Sequence, residues 1–202
     1  MLKIVLATGN PHKVEEINKI AKDFGCEFVL PPSGFDPVEN GDTFETNALI
    51  KAKEANENSK MLTLADDSGL CVDALNGEPG IYSARYAGTQ SEKIQKLLNA
   101  MKEVPENRRG AKFVCAMVLL DSNGEVLFSD RGECYGKIAY ESKGTNGFGY
   151  DPIFIVDGSD LTMAQLPEDV KNTISHRAIA LQKIIEFLTI NKKYFLEFTN
   201  LK

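Results

Sequence analysis

A chain of 202 residues, 43% hydrophobic and 26% charged, is long enough for one sizeable domain with its own core. Its formal net charge of −6 disfavours a general nucleic-acid binder, because such proteins carry a basic field. The apolar start, residues 2–7, is too short for a signal-peptide core or a membrane span, so a cytoplasmic protein without a membrane partner is expected.

Residues 2–7 (LKIVLA) read as a buried strand. Asn10 can cap a helix with Pro11 in its first turn, where a missing N–H does no harm. Val14, Ile17, Ala21 and Phe24 then recur at helical spacing, and Gly25 ends the run. Asp42 and Glu45 have capping-box spacing ahead of a helix carrying Ala48, Leu49, Ala52 and Ala55. Residues 61–65 predict a second buried strand that ends in Asp66-Asp67-Ser68-Gly69. Thr89 and Glu92 open a helix with Ile94, Leu97, Leu98 and Met101. Residues 112–120 and 125–128 flank Asp121-Ser122-Asn123-Gly124, a hairpin signal. Shorter strands are expected up to Ile155, then a long helix over 175–188. Residues 191–202 read either as a final packed segment or as a partly ordered extension. The mixture of helices, strands and hairpins predicts an α/β fold with a mixed sheet. The four cysteines, Cys26, Cys71, Cys115 and Cys134, form no CxxC pair and suit no zinc site. They are expected to be free thiols, mostly buried.

Four segments carry candidate chemistry. Thr8-Gly9-Asn10-Pro11-His12-Lys13 leaves a strand and enters a helix, where free N–H groups and the Lys13 charge can cradle a phosphate. The Walker A spacing is absent, an ordinary capped turn is the plainer reading, and His12 reads as a solvated residue. Asp66 and Asp67 at the end of an apolar strand demand solvent or a cation, and magnesium takes a carboxylate together with phosphate oxygens and waters. Neighbouring side chains on a strand point oppositely, so one of the two is expected to face the metal. Gly147-Phe148-Gly149-Tyr150-Asp151-Pro152 offers an uncrowded aromatic face for stacking on a base, or else an aromatic turn packed on the core. Ser175-His176-Arg177, with Lys171 upstream, offers donors to a phosphate or a base oxygen, against the simpler picture of a capping serine and solvated charges.

Taken in order, these segments resemble the inosine triphosphate pyrophosphatase family, the Ham1-like purine nucleoside triphosphate pyrophosphatases. The resemblance runs from about residue 2 to 188. It rests on Leu6-Ala7-Thr8-Gly9-Asn10 with Lys13, Gly41-Asp42-Thr43-Phe44 with Asn47-Ala48, Ala65-Asp66-Asp67-Ser68-Gly69-Leu70, and Pro79-Gly80-Ile81-Tyr82-Ser83-Ala84-Arg85-Tyr86. Gly147 to Pro152 and Ile174 to Arg177 complete it. It implies a single domain over 1–190 with an elongated mixed sheet, flanking helices and two lobes around a central cleft, usually as a homodimer, followed by an extension over 191–202. It further implies hydrolysis of inosine, deoxyinosine and xanthosine triphosphates to monophosphate and pyrophosphate with Mg2+. Thr8, Gly9, Asn10, Lys13 and Lys51 would hold phosphates, and Glu39 and Asp67 the metal. Asp67 would be the general base and Ser68 a substrate contact. Phe148, Gly149, Tyr150 and Asp151 would hold the base, with Lys171, His176 and Arg177 closing the site. Gln165 and Val170 depart from the family pattern, which has acidic residues there. Three rivals remain: a Maf-like enzyme for pyrimidine or modified nucleotides, a silent nucleotide sensor and a nucleic-acid module. The carboxylates and lysines argue against the sensor, the net charge against the module.

Overall fold

A run of consecutive buried apolar residues, Ile4, Val5 and Leu6, starts the chain as a strand, β1 (Leu2–Leu6), in a computed structural model that describes residues 2–191 and 195, apart from the His12 side chain. The expectation for His12 therefore lies outside the described residues. Next come α1 (Pro11–Ala21), β2 (Cys26–Val29), α2 (Phe44–Ser59), β3 (Thr63–Val72) and α3 (Gln90–Ala100). The chain continues through β4 (Gly110–Leu120), β5 (Val126–Ile138), β6 (Phe154–Val156), α4 (Glu168–Ile174) and α5 (His176–Ile190). The strands form one sheet in the order β2-β1-β3-β4-β5-β6. β1 pairs in parallel with both β2 and β3, whereas β5 and β6 are antiparallel. The sheet is thus mixed, as the hairpin-rich middle of the sequence predicts.

Several boundaries differ from the sequence expectation. α1 stops at Ala21, and Phe24 lies beyond it, 49% exposed, in the turn that Gly25 completes at φ +71°. The cap of α2 is Thr43, whose hydroxyl accepts the Thr46 N–H at 3.1 Å, one residue later than the Asp42 and Glu45 spacing predicts. β3 does not end before the acidic pair but runs ten residues through it. β5 extends ten residues past the expected 128 to Ile138. The last long helix forms where the sequence places it, as α5, but a short helix the sequence reading does not include, α4, precedes it, separated by the extended backbone of Ser175. The Thr89–Glu92 capping box forms as predicted. Gln165 closes a second capping box, its Oε1 accepting the Thr162 N–H at 3.0 Å.

The chain divides into two compact units. The first comprises Met1–Asp67, Ala116–Arg131 and Ala178–Lys202. Its core brings Val5, Ala7 and Ala65 against Ala48, Ala52 and Ala55 of α2. Small side chains at i, i+4 and i+7 let this helix lie close to the strands. Asn56, buried on α2, donates to the Met61 and Asp121 carbonyls, tying the helix end to the β4–β5 turn. From 191–202 only Asn191 and Phe195 are described; Phe195 is buried, its ring 6.1 Å from that of Phe187.

The second unit comprises Ser68–Cys115 and Gly132–Arg177. Leu70, Val72, Leu97, Met101, Phe113, Ile153 and Phe154 are central to its core. Arg109 is buried in it, only 1% exposed. Its guanidinium donates to the carbonyls of Ile138, Met101, Val104 and Ala139 at 2.7–3.2 Å. All four cysteines are free; Cys115 and Cys134 are buried, whereas Cys26 and Cys71 are half-buried, a more exposed pair than the sequence predicts.

Candidate active site

In the first unit, β1 delivers the chain to a turn at Thr8 and Gly9. The Thr8 hydroxyl accepts the Asn10 N–H at 3.1 Å, and the Asn10 carbonyl accepts the Lys13 N–H at 3.1 Å, so α1 begins beside an exposed Gly9. Lys13, in the first turn of α1, reaches Asp66 of β3 with its Nζ at 2.9–3.0 Å from both carboxylate oxygens. One residue on, Asp67 Oδ1 accepts from Lys51 of α2 at 2.8 Å. Lys51 also lies 3.3 Å from Glu39 Oε1. Thr8, Gly9, Lys13, Glu39, Lys51 and Asp66 line a pocket of about 290 Å³ together with Phe35, Asp36 and Pro37. That is near the lower end of ligand pockets, roughly 300–1,000 Å³, and suits part of a nucleotide rather than the whole of one.

Two lysines facing three carboxylates set the electrostatics. Burial works against the charge on Lys51, but Asp66, Asp67 and Glu39 outweigh it, and the pKa of Lys51 is raised. Burial raises Asp67 above the ordinary carboxylate value; Lys51 pulls the other way, while Glu39 and Asp66 add to the rise. The second oxygen of Asp67, Oδ2, is buried without a hydrogen-bond partner among the described residues. Asp66 and Asp67 are 1% and 7% exposed, and each meets its own lysine, so strand alternation does not send one of them to solvent. Among the described residues no three His, Cys, Asp or Glu side chains are grouped to hold a metal by themselves. The donors present are nonetheless hard carboxylate oxygens, and the orphaned Oδ2 of Asp67 fits a hard cation that keeps waters and takes further oxygens from phosphate.

The second unit gathers the other candidates. Phe148 is 49% exposed, with Lys171 Nζ at 4.9 Å and the Arg177 guanidinium carbon at 5.5 Å from its ring centroid. Asp151 Oδ2 accepts from Lys171 Nζ at 2.6 Å and from the Phe148 N–H at 3.0 Å, fixing the loop under the ring. Gly147 has φ +73°, and a Cβ there would lie 2.0 Å from Asp151 Oδ2 and 2.8 Å from Lys171 Nζ, so this position admits glycine alone. Gly149, also at positive φ, completes the turn. Tyr150 does not face outward: its ring is buried, its hydroxyl donates to the Ser83 carbonyl at 3.1 Å, and burial pushes its pKa up. It anchors the loop. His176 stacks on Phe113 at 4.8 Å, and Ser175, His176 and Arg177 are 1%, 8% and 2% exposed, which excludes a cap followed by solvated charges. Ser68, the first residue of this unit, is half-buried on β3.

Three features escape a sequence reading. Asp66 holds Lys13, a pairing across 53 residues that no local pattern marks. Phe35, Asp36 and Pro37 line the pocket from a segment with no periodicity to mark it. Asn47 accepts the Gly41 N–H, and only its place in a motif block hinted at a use.

A strand–turn–helix start and two lysines paired with three carboxylates around a polar pocket, on a mixed sheet, define an α/β protein with a charged pocket at the end of its first strand. The chain belongs to the Ham1 family, whose profile matches residues 4–187. It is 45% identical over 196 residues to a dITP/XTP pyrophosphatase of Yersinia pseudotuberculosis, covering 93% of this chain and 98% of that one. Identity to a dITP/XTP pyrophosphatase of Campylobacter jejuni subsp. doylei is 47% over 197 residues, covering 91% and 96%. Of solved structures, a HAM1 protein from Coxiella burnetii matches with a TM-score of 0.85 at 41% identity, over 94% of this chain and 99% of that one. The Staphylococcus aureus Ham1 protein matches with a TM-score of 0.83 at 41% identity, over 93% and 98%.

Proposed function

We propose that this chain hydrolyses the triphosphates of inosine, deoxyinosine and xanthosine to the monophosphate and pyrophosphate, with magnesium as cofactor. The activity follows relatives named dITP/XTP pyrophosphatase that match over nearly their full length. The observation that carries the residue roles is Lys51 bracketed by Asp67 and Glu39 on a pocket that also holds Lys13.

In this reading the Gly9–Lys13 turn and Lys51 take the phosphates. A triphosphate near neutral pH carries about four negative charges, and cleavage requires that they be balanced and aligned. When bound, magnesium supplies part of that balance, with Glu39 and Asp67 as its protein ligands. Binding substrate draws Lys13 away from Asp66 and Lys51 toward phosphate oxygens. Asp67 accepts a proton from the attacking water as the anhydride bond between the α- and β-phosphates breaks and pyrophosphate leaves. Phe148 stacks on the base, Arg177 donates to the oxygen at C6, and Lys171, His176 and Ser68 complete the contacts. Tyr150 contributes by holding the loop, and Asp151 by orienting Phe148 and Lys171. A cytoplasmic homodimer belongs to the same proposal.

Pyrophosphate release from a panel of purine and pyrimidine triphosphates, with and without magnesium, tests it. Release from dITP and XTP that needs the metal is expected. Preference for pyrimidine or modified nucleotides would favour the Maf-like alternative, and no release from any would leave a sensor.

A further inference from the structure

Residues 30–43, between β2 and α2, contain no helix or strand, yet part of this segment is gripped by regularly spaced side chains of α2. Asn47 Oδ1 accepts the Gly41 N–H at 2.8 Å. Lys51 lies 3.3 Å from Glu39. Glu54 Oε1 accepts the Asp36 N–H at 2.8 Å. Positions 47, 51 and 54 are spaced i, i+4 and i+7 and share one helix face. Their partners run the other way, 41, 39 and 36, so the segment lies antiparallel along that face. The same stretch supplies Asp36, Pro37 and Glu39 to the pocket wall.

We infer that Asn47 is a positioning residue: by holding the Gly41 N–H it fixes the segment on α2 and keeps the Glu39 carboxylate at Lys51. This rests on the function proposed above, in which Glu39 serves the metal. Asn47 is fully buried, and its Nδ2 has no hydrogen-bond partner among the described residues. A buried amide left half-satisfied is a poor choice for stability alone, since an apolar residue would pack there without stranding a donor. What the amide provides is its oxygen, placed at a backbone N–H two residues from Glu39. The fit is close on the other side too: a Cβ at Gly41 would lie 2.8 Å from both Asn47 Oδ1 and Thr46 Cγ2. Glu54, whose bond to the Asp36 N–H is exposed, is the weaker pin.

The test uses Asn47→Ala, which removes the acceptor while keeping a strong helix former, and Gly41→Ala, which disturbs the same contact from the half-buried segment. Each is made alone and together with Glu39→Gln. Two quantities are read: amide hydrogen exchange of residues 36–43 in protein free of metal and nucleotide, and the magnesium concentration that half-saturates dITP hydrolysis. Either single variant is expected to speed exchange across 36–43 and to raise the magnesium requirement by roughly 10–100-fold, the usual effect of losing a group that orients a metal ligand. With Gln at position 39 the same change is expected to add almost nothing, because Asn47 acts through that carboxylate. Unchanged exchange overturns the inference, as does an equal rise in magnesium requirement with and without Glu39. If Asn47→Ala fails to fold, Gly41→Ala decides by the same readings. Should the parent release no pyrophosphate from dITP, the functional proposal falls, while hydrogen exchange still reports whether Asn47 pins the segment.

Discussion

Lys51 Nζ sits 2.8 Å from Asp67 Oδ1, while Asp67 Oδ2 is buried with no hydrogen-bond partner among the described residues. One oxygen of this carboxylate is thus held by a cation, and the other is buried with no protein partner among the described residues. A group whose only task was to neutralise Lys51 would gain by satisfying both. Asp67→Asn keeps the shape and removes the charge and the basicity. The expected result is a folded protein that binds substrate and loses about 10²–10⁴-fold in turnover, the usual worth of a general base. Circular dichroism and steady-state kinetics check it, and activity within a few-fold of the parent removes Asp67 from that role.

The raised pKa of Asp67 also has a sign for stability. The folded state holds this proton more tightly than the unfolded chain does. The resulting stabilisation is complete below the unfolded-state pKa and is lost as pH rises through the folded-state value. Asp67→Asn has no such dependence. In metal-free protein the variant should gain on the parent as pH rises through the acidic range, after which the difference between them levels off. Thermal melts of both proteins across that range measure the difference. A gap that narrows with rising pH would mean that Lys51 dominates and the Asp67 pKa is lowered.

Lys13 reaches the pocket from the first turn of α1, where its Nζ donates to Asp66. In the proposed function it faces the part of the ligand that every triphosphate shares. Lys13→Ala is expected to lower kcat/KM for dITP, XTP and ITP by similar factors and to leave their ranking intact. A changed ranking would place Lys13 near the base and reverse the proposed ligand orientation.

Arg109 gives a structural prediction, independent of the function. It is buried and donates to four main-chain carbonyls of the second unit, with the Tyr140 ring 4.1 Å from its guanidinium carbon. Lysine keeps the charge but cannot reproduce the planar fork. Arg109→Lys should destabilise the protein by about 3 kcal/mol or more, because several buried carbonyls lose their partner together. Urea unfolding reads this, and activity per folded molecule should stay near that of the parent.

Local rules carried much of the fold. Capping chemistry at Thr89 and the turn at 121–124 are set by neighbouring residues, and both form where the sequence places them. The errors arise where tertiary contacts override local signals. Asp66 and Asp67 look like a strand end, because two adjacent acids break an apolar run. The strand continues because Lys13 and Lys51, distant in sequence, arrive to neutralise them. Burial of Arg109 was illegible for the same reason: its carbonyl partners come from segments up to 30 residues away. Phe35 to Pro37 reach the pocket without any motif, through contacts that α2 makes with an irregular segment. Asn47 lies in a recognisable sequence block, but its acceptor role depends on a backbone N–H that only folding brings near.

The last prediction concerns base choice. Arg177 is 2% exposed, with its guanidinium 5.5 Å from the centroid of the half-exposed Phe148 ring. A base stacked on Phe148 would meet a donor beside it. Hypoxanthine and xanthine carry an oxygen at C6 and a proton on N1, whereas adenine has an amino group at C6 and a bare N1. A donor aimed at position 6 and an acceptor aimed at N1 reject adenine twice, because each leaves a buried polar group unpaired. Such sites discriminate by roughly 10⁴-fold or more. Guanine shares the C6 oxygen and the N1 proton, so only its 2-amino group sets it apart, and discrimination against GTP should be weaker. The expected order of kcat/KM is ITP, dITP and XTP first, GTP well below, ATP and pyrimidine triphosphates lowest. Arg177→Ala should compress this order mainly by lowering the best substrates, since ATP makes no favourable contact with the guanidinium to lose. Arg177→Lys should recover only part of the difference, because a single ammonium lacks the fixed fork. Competition assays with paired triphosphates give the ratios directly. Equal kcat/KM for ATP and ITP in the parent would end both the substrate assignment and the role given to Arg177.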